Sequence, residues 1–122
     1  MNRRTVAATL LIAAFPGSAR PQEPSDYSFR GGTFRRELWV ADKRVFTRPK
    51  GVDVEFTSSG AFDWVFAEPS GREVRTLHAE NAHGGWTSVD FGSLGLRGDH
   101  SIGFRNSSSK PELVIKQGLV RL

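Results

Sequence analysis

The chain has 122 residues, of which 17 are basic and 13 are acidic, and it contains no cysteine. This length allows one domain, and the lack of cysteine excludes a disulfide-stapled mini-domain, a lipoprotein anchored through cysteine and a thiol enzyme. The positive residues form no continuous stripe, so no nucleic-acid partner is expected.

Residues 1–19 have the three parts of a secretory signal peptide. Arg3 and Arg4 form a positive start, residues 5–15 form an apolar run, and small residues follow. The run is about half as long as a membrane-spanning helix, so we expect cleavage near residue 20 and no membrane span in the mature chain. Removing the two leader arginines from the 17 basic residues leaves a net charge of +2 against the 13 acids. We therefore expect an exported protein, periplasmic or extracellular.

The rest of the chain is predicted to be a leader followed by one β domain. Residues 20–30 are rich in proline and polar residues, which predicts an extended leader. In residues 31–122, short segments of alternating apolar and polar residues are separated by turns. This pattern predicts a single antiparallel β-sandwich of jelly-roll or immunoglobulin-like type, with seven to eight short strands.

The alternation is clearest in the middle of the domain. Val52, Val54 and Phe56 share one face of a strand, and after a turn at 58–60 the residues at 62, 64 and 66 share one face of the next. We predict that these two strands pair as a hairpin at the centre of the core, with Trp64 buried. Residues 68–71 (EPSG) predict a type I turn. Other strands are predicted at 34–40, 45–47, 73–77, 86–91, 100–106 and 112–122.

A histidine-containing loop is the first candidate for chemistry. His78, Glu80 and His83 lie within six positions, and a loop can bring such side chains onto one metal ion. The histidine spacing of helical zinc sites is absent. A metal-binding protein or a metal-dependent enzyme that uses these three residues is therefore one alternative, and a solvated loop without a cofactor is the other.

Other catalytic patterns are weak. No serine lies in a Gly-x-Ser-x-Gly motif. Asp53, Glu55 and Asp63 could face one another across the predicted hairpin, as glycosidase carboxylates do. Acids on the wet face of a sheet are ordinarily its solvated surface, so we expect a non-catalytic protein.

Binding is better supported by the pattern. Trp39 has the opposite parity to its neighbours and Trp86 opens a strand after two glycines, so either indole could stack on a sugar or anchor a protein. Loops 78–85 and 93–99 add His83, Arg97 and Asp99 to the candidate ligand-binding residues. Arg97-Gly98-Asp99 is a tripeptide that can signal adhesion in extracellular proteins. Its position before a strand favours a structural corner in which Gly98 gives the bend and Asp99 bonds the next backbone amides.

Residues 98–110 (GDHSIGFRNSSSK) carry the one family resemblance. They resemble the closing strands of small jelly-roll sandwiches such as the GOLD domain and the bacterial pre-peptidase C-terminal domain, with His100 where those families have tyrosine. Members of such families are mostly non-catalytic interaction modules, which is what the resemblance implies here.

The sequence as a whole predicts an exported, non-catalytic β-sandwich that binds a protein or a glycan. A structural subunit of an envelope assembly is a further alternative, and it predicts a long unpaired edge strand that awaits a partner.

Overall fold

The computed structural model describes residues 26–122, which form two packed antiparallel sheets of four strands each. The predicted β-sandwich is therefore confirmed. The predicted signal peptide (1–19) and the leader as far as residue 25 lie outside the described residues. The strands are β1 (Tyr27–Phe34), β2 (Glu37–Trp39), β3 (Gly51–Phe56), β4 (Phe62–Ala67), β5 (Glu73–Ala79), β6 (Gly85–Asp90), β7 (Ser101–Asn106) and β8 (Leu113–Arg121).

The strand order distinguishes between the two predicted types of sandwich. The first sheet has the order β1-β8-β3-β6, and the second has the order β2-β7-β4-β5. The neighbouring strands include the pairs β1 and β8, β2 and β7, β3 and β6, and β4 and β5. These are the pairs that one long antiparallel hairpin would form. This is the jelly-roll arrangement of eight strands. It differs from the immunoglobulin arrangement, which divides seven strands between its sheets in another order.

The predicted hairpin of β3 and β4 is wrong. β3 pairs with β6 and β8 in the first sheet, whereas β4 pairs with β5 and β7 in the second. The connection at 57–61 crosses between sheets, so Phe56 and Phe62 meet across the core with ring centroids 4.6 Å apart. Alternation shows which side chains are buried, but it does not show whether two buried faces belong to one sheet.

β1 begins at Tyr27, inside the predicted leader (20–30). The alternation of β1 slips at Gly31: Phe29 and Phe34 are both buried although an odd number of positions separates them. β8 has a matching irregularity, because its register against β3 shifts at the same level. An interrupted period of two is difficult to identify as a strand, which is why the sequence predicts no strand over residues 27–33.

The core lies between the two sheets and consists mainly of aromatic and β-branched residues. Trp64 is 1% exposed, as predicted. A β-turn at 68–71 is also confirmed, since Gly71 N donates to Glu68 O at 2.8 Å. Other large buried side chains include Phe46, Phe62, Phe66, Phe91, Phe104, Ile102, Leu113 and Ile115.

Loops gather at the two ends of the sandwich. At one end the β5–β6 loop meets the β3–β4 loop, where Asn81 Nδ2 donates to Ser58 O at 2.9 Å. At the other end the β6–β7 loop meets the β2–β3 loop, where Arg48 N donates to Asp99 Oδ1 at 3.0 Å. The predicted binding loops 78–85 and 93–99 therefore lie at opposite ends and do not form one surface.

Candidate binding surface

Trp86 is the most exposed of the large apolar side chains that the structure describes, with 56% of its surface accessible. It lies on β6, an edge strand that pairs only with β3. The alternate residues Thr87 and Val89 are half-buried, and Val89 packs against the core. The period of two therefore turns the indole to the outer face of the first sheet, where it is free to contact a partner.

A row of four side chains crosses this face at the level of Trp86. Glu55 of β3 lies opposite Trp86, Gln117 of β8 lies opposite Glu55, and Arg30 of β1 lies opposite Gln117. Gln117 Nε2 donates to Glu55 Oε1 at 2.8 Å. Because neighbouring strands are about 4.8 Å apart, the row extends over about 14 Å. We call these four residues the Trp86 row.

An ion-pair network occupies the same face nearer to the other end of the sandwich. Arg121 Nη2 donates to Asp90 Oδ1 at 2.9 Å and to Val89 O at 3.1 Å. Arg121 Nε lies 3.3 Å from Asp53 Oδ2, which makes an ion pair although the atoms are not aligned for a hydrogen bond. Asp53 is thus paired with an arginine, whereas the Glu55 carboxylate accepts a hydrogen bond from a neutral amide.

Trp39 lies on the outer face of the second sheet, on the opposite side of the molecule from Trp86. It is paired in register with Gly103, and a Cβ atom at Gly103 would come within 2.7 Å of the indole, so the ring packs on the glycine backbone. Lys43 Nζ lies 4.4 Å from the ring centroid, a cation–π contact. These two contacts cover the indole and make it less available for stacking than Trp86.

The acid beside Trp39 belongs to a charged network on the second sheet. Trp39 Nε1 donates to Glu37 Oε2 at 3.1 Å, and this hydrogen bond, together with Arg105, lowers the pKa of Glu37. Arg105 also reaches across β4 to Glu73 at 2.8 Å. A shallow polar cleft lies beside it, lined by Arg35, Arg36, Glu37, Arg105 and Asn106. Two carboxylates already compensate Arg105, which makes the cleft a weak candidate for an anion.

The three residues of the metal alternative are not brought together. His78 Nδ1 lies 2.8 Å from Asp63 Oδ1, and its Nε2 lies 2.5 Å from Glu80 Oε2. Two carboxylates favour the protonated imidazole, which has no lone pair for a metal. Within residues 26–122 no group of three or more His, Asp or Glu side chains is arranged to hold a metal ion, and His83 therefore does not complete a site with His78 and Glu80.

We expect the pKa of His78 to lie above its ordinary value of 6.5, because the imidazole is hydrogen-bonded to two carboxylates. The hydrogen bond to Glu80 has the larger effect and the one to Asp63 the smaller. A raised pKa in the folded state means that the stabilisation is fully present below the pKa of the unfolded chain and is lost as the pH rises through the folded pKa. NMR titration of the imidazole should show the raised pKa, and Glu80→Gln should lower it. A wild-type pKa at or below the ordinary value would contradict this cluster.

The carboxylates that could have formed a catalytic pair lie on opposite sides of the sandwich. Asp53 and Glu55 are on the outer face of the first sheet, and Asp63 is on the outer face of the second. The core separates them because β3 and β4 belong to different sheets. A two-carboxylate mechanism that joins Asp63 to either of the others is therefore ruled out by geometry.

Arg97-Gly98-Asp99 forms a corner immediately before β7. All three residues are exposed, and the next residue, His100, is buried and paired with Phe46. The Asp99 carboxylate accepts a hydrogen bond from Arg48 N, and Arg48 has a φ of 41°. Asp99 therefore stabilises a left-handed residue in the facing loop. The prediction that it bonds the next backbone amides is wrong in its partner, because the bonded amide belongs to a segment 51 positions away.

Replacing Asp99 with alanine should lower the free energy of unfolding by about 1 kcal/mol, since it removes an acceptor that holds a backbone N–H. Arg97→Ala is the matched control within the same tripeptide, and we expect it to change stability by less than about 0.5 kcal/mol because Arg97 is an exposed side chain. Urea unfolding monitored by tryptophan fluorescence measures both. Equal effects of the two substitutions would contradict the structural role of Asp99.

The alternative of a structural subunit predicts a long edge strand that is available to pair with a partner. β5 has seven residues and pairs only with β4, so one side of it is an unpaired edge. It carries Glu73, Arg75 and His78, all exposed. Charged side chains along an edge discourage pairing with a further strand. This edge therefore does not favour assembly by strand addition.

The five predicted ligand-binding residues lie in three separate places. Trp86 is on the outer face of the first sheet and His83 is in the loop just before it, whereas Trp39 is on the second sheet. Arg97 and Asp99 are at the end of the sandwich opposite His83. Of these five residues, Trp86 is the one that lies in a row with polar side chains of neighbouring strands.

Sequence reasoning missed the partners of Trp86. Alternation in β3 already indicated that Glu55 faces outward. The same signal was not available for Gln117, which has the parity of the buried Leu113 and Ile115 and faces outward because of the irregularity in β8. What the pattern lacked was the register between strands about 30 and 60 residues apart in the chain.

No protein-family model matches the chain, and no curated protein matches it. The resemblance of residues 98–110 to GOLD-like and pre-peptidase C-terminal modules consequently stays a prediction. In residues 26–122 no helix has the length and apolar character needed to cross a membrane.

Proposed function

We propose that the protein is an exported, non-catalytic binding module that recognises a protein or glycan partner in the periplasm or outside the cell. The observation that carries the proposal is Trp86, an indole exposed on a sheet face and aligned with polar side chains of three neighbouring strands. An exposed indole with accessible polar side chains around it is a typical anchor for a binding partner.

Two further observations support binding over catalysis. The candidate catalytic carboxylates are divided between opposite faces, and the His78 imidazole is engaged by Asp63 and Glu80 at both nitrogens. The signal-peptide pattern of residues 1–19 supports export, because a positive start, a short apolar run and small residues occur in that order.

The test is capture from the native envelope and from the culture medium. The protein obtained by expressing the full chain is immobilised and compared with Trp86→Ala and with Trp39→Ala, which removes an indole from the opposite sheet. We expect wild type and Trp39→Ala to retain the same partner and Trp86→Ala to lose most of it. Retention that is equal for all three proteins would contradict binding through Trp86, provided that circular dichroism shows all three to be folded.

A further inference from the structure

The face around Trp86 has the properties of a surface for hydroxyl groups. The Trp86 row presents a carboxylate that only accepts hydrogen bonds, an amide that both donates and accepts, and a guanidinium that only donates. Gln117 is exposed and Glu55 is half-buried, so both are within reach of a ligand lying on the sheet. Sugar hydroxyls both donate and accept hydrogen bonds, so they can pair with the carboxylate, the amide and the guanidinium.

The apolar part of the surface is confined to one ring. The other large apolar side chains that are exposed in the described chain are Val45, in the loop before β3, and Val74, on the edge of the second sheet. Neither lies on the outer face of the first sheet. A protein interface usually has a core of several apolar residues around its anchor. The outward apolar residues Val114 and Leu119 are half-buried on β8, and β3 separates them from Trp86. An isolated indole suits the C–H face of a sugar ring better than a protein interface.

The charges of the face are nearly balanced. Arg30 and Arg121 are positive, whereas Glu55, Asp53 and Asp90 are negative, and Arg121 is paired with both Asp53 and Asp90. A polyanion such as an acidic polysaccharide would need a field of one sign, and Glu55 at the centre of the row opposes it. The balance therefore favours an uncharged ligand.

We infer that the partner is an uncharged glycan, bound across the first sheet with one sugar ring stacked on Trp86 and the following sugars hydrogen-bonded to Glu55, Gln117 and Arg30. This inference deepens the proposed function and rests on it. The row is about 14 Å long, so the surface takes a short stretch of a chain and does not enclose a single sugar.

The experiment measures binding of the full-chain product to soluble uncharged glycans by affinity electrophoresis and by tryptophan fluorescence. The probes are a β-1,3-glucan, a β-1,4-mannan, dextran, arabinoxylan and the polysaccharide fraction of protease-digested native envelope. Heparin and polygalacturonate are the charged comparisons. We expect at least one uncharged probe to bind and to shift the fluorescence, since Trp86 is the exposed indole and Trp64 is buried.

The variants separate stacking from hydrogen bonding. Trp86→Ala should weaken binding at least about tenfold, Trp86→Tyr should retain part of it, and Gln117→Ala should weaken it several-fold. Trp39→Ala, on the opposite sheet, should bind like wild type. Trp86-dependent binding that is restricted to the charged polysaccharides would overturn the uncharged class of ligand.

The outcomes also separate this inference from the proposed function. If no uncharged probe binds but a protein is captured in a Trp86-dependent way from the envelope, the glycan inference fails and the binding module stands. If neither glycans nor proteins are retained in a Trp86-dependent way, both fail.

Discussion

Replacing Gly31 with alanine should lower the free energy of unfolding by at least about 3 kcal/mol, at the upper end of the cost of overpacking. A Cβ atom at this position would lie 1.6 Å from the carbonyl oxygen of Ile115 and 2.2 Å from its carbonyl carbon. These are backbone atoms of β8, which is hydrogen-bonded to β1 on one side and to β3 on the other, so they have no room to move. Urea unfolding of the purified variant, or its failure to accumulate in soluble form, measures the effect.

Gly32→Ala is the matched control, because the two glycines are adjacent in β1. A Cβ atom at Gly32 would meet Leu38 Cδ1 at 3.5 Å, an ordinary van der Waals contact. We expect a change below about 1 kcal/mol, mostly from the lower entropy of the unfolded chain. If Gly31→Ala were tolerated as well as Gly32→Ala, the close approach of β1 to β8 at Ile115 would be wrong.

Phe104→Ala should lower the free energy of unfolding by about 3 to 5 kcal/mol, as truncations of buried aromatic residues do. The ring of Phe104 is fully buried and lies between the sheets, with centroid distances of 6.3 Å to Phe56 on the first sheet and 5.2 Å to Trp64 on the second. Its removal leaves a cavity lined by other aromatic rings, which cannot all shift to fill it. Thermal and urea unfolding measure the loss.

Trp86→Ala is the comparison for this substitution, since it removes an aromatic side chain from the surface. We expect its effect on stability to be below about 0.5 kcal/mol, because more than half of the indole is already in water. Equal destabilisation by Phe104→Ala and Trp86→Ala would mean that Trp86 has a structural role, and the loss of binding expected for Trp86→Ala could not then be assigned to a contact with the partner.

The period of two in the sequence was sufficient to assign the faces of most strands. Val52, Val54 and Phe56 are buried, and the intervening Asp53 and Glu55 are half-buried on the outer face, as the pattern predicts. The same alternation predicts that the Trp64 side chain points into the core, which the structure confirms. Burial follows from alternation because successive side chains in a strand point to opposite sides of the sheet, which is a local property of the backbone.

The pairing of strands was not predictable in this way. In this jelly roll Tyr27 lies opposite Val120, and the neighbours of most strands come from the other half of the chain. A regular pattern in two successive strands, such as β3 and β4, is equally compatible with a hairpin and with two sheets packed face to face. Irregularities such as the one at Gly31 make the problem harder, because they change the face without changing the direction of the strand.

The sequence by itself determined the class of fold and the outward direction of Glu55, since both depend on local alternation, and it made Trp86 one of two candidates for an exposed indole. Only the tertiary structure decided that Trp86, Glu55, Gln117 and Arg30 form one row, and that Trp39 and Asp99 lie elsewhere. The physical reason is that a row across a sheet is made by hydrogen bonds between strands distant in the chain, and their register depends on how the whole core packs.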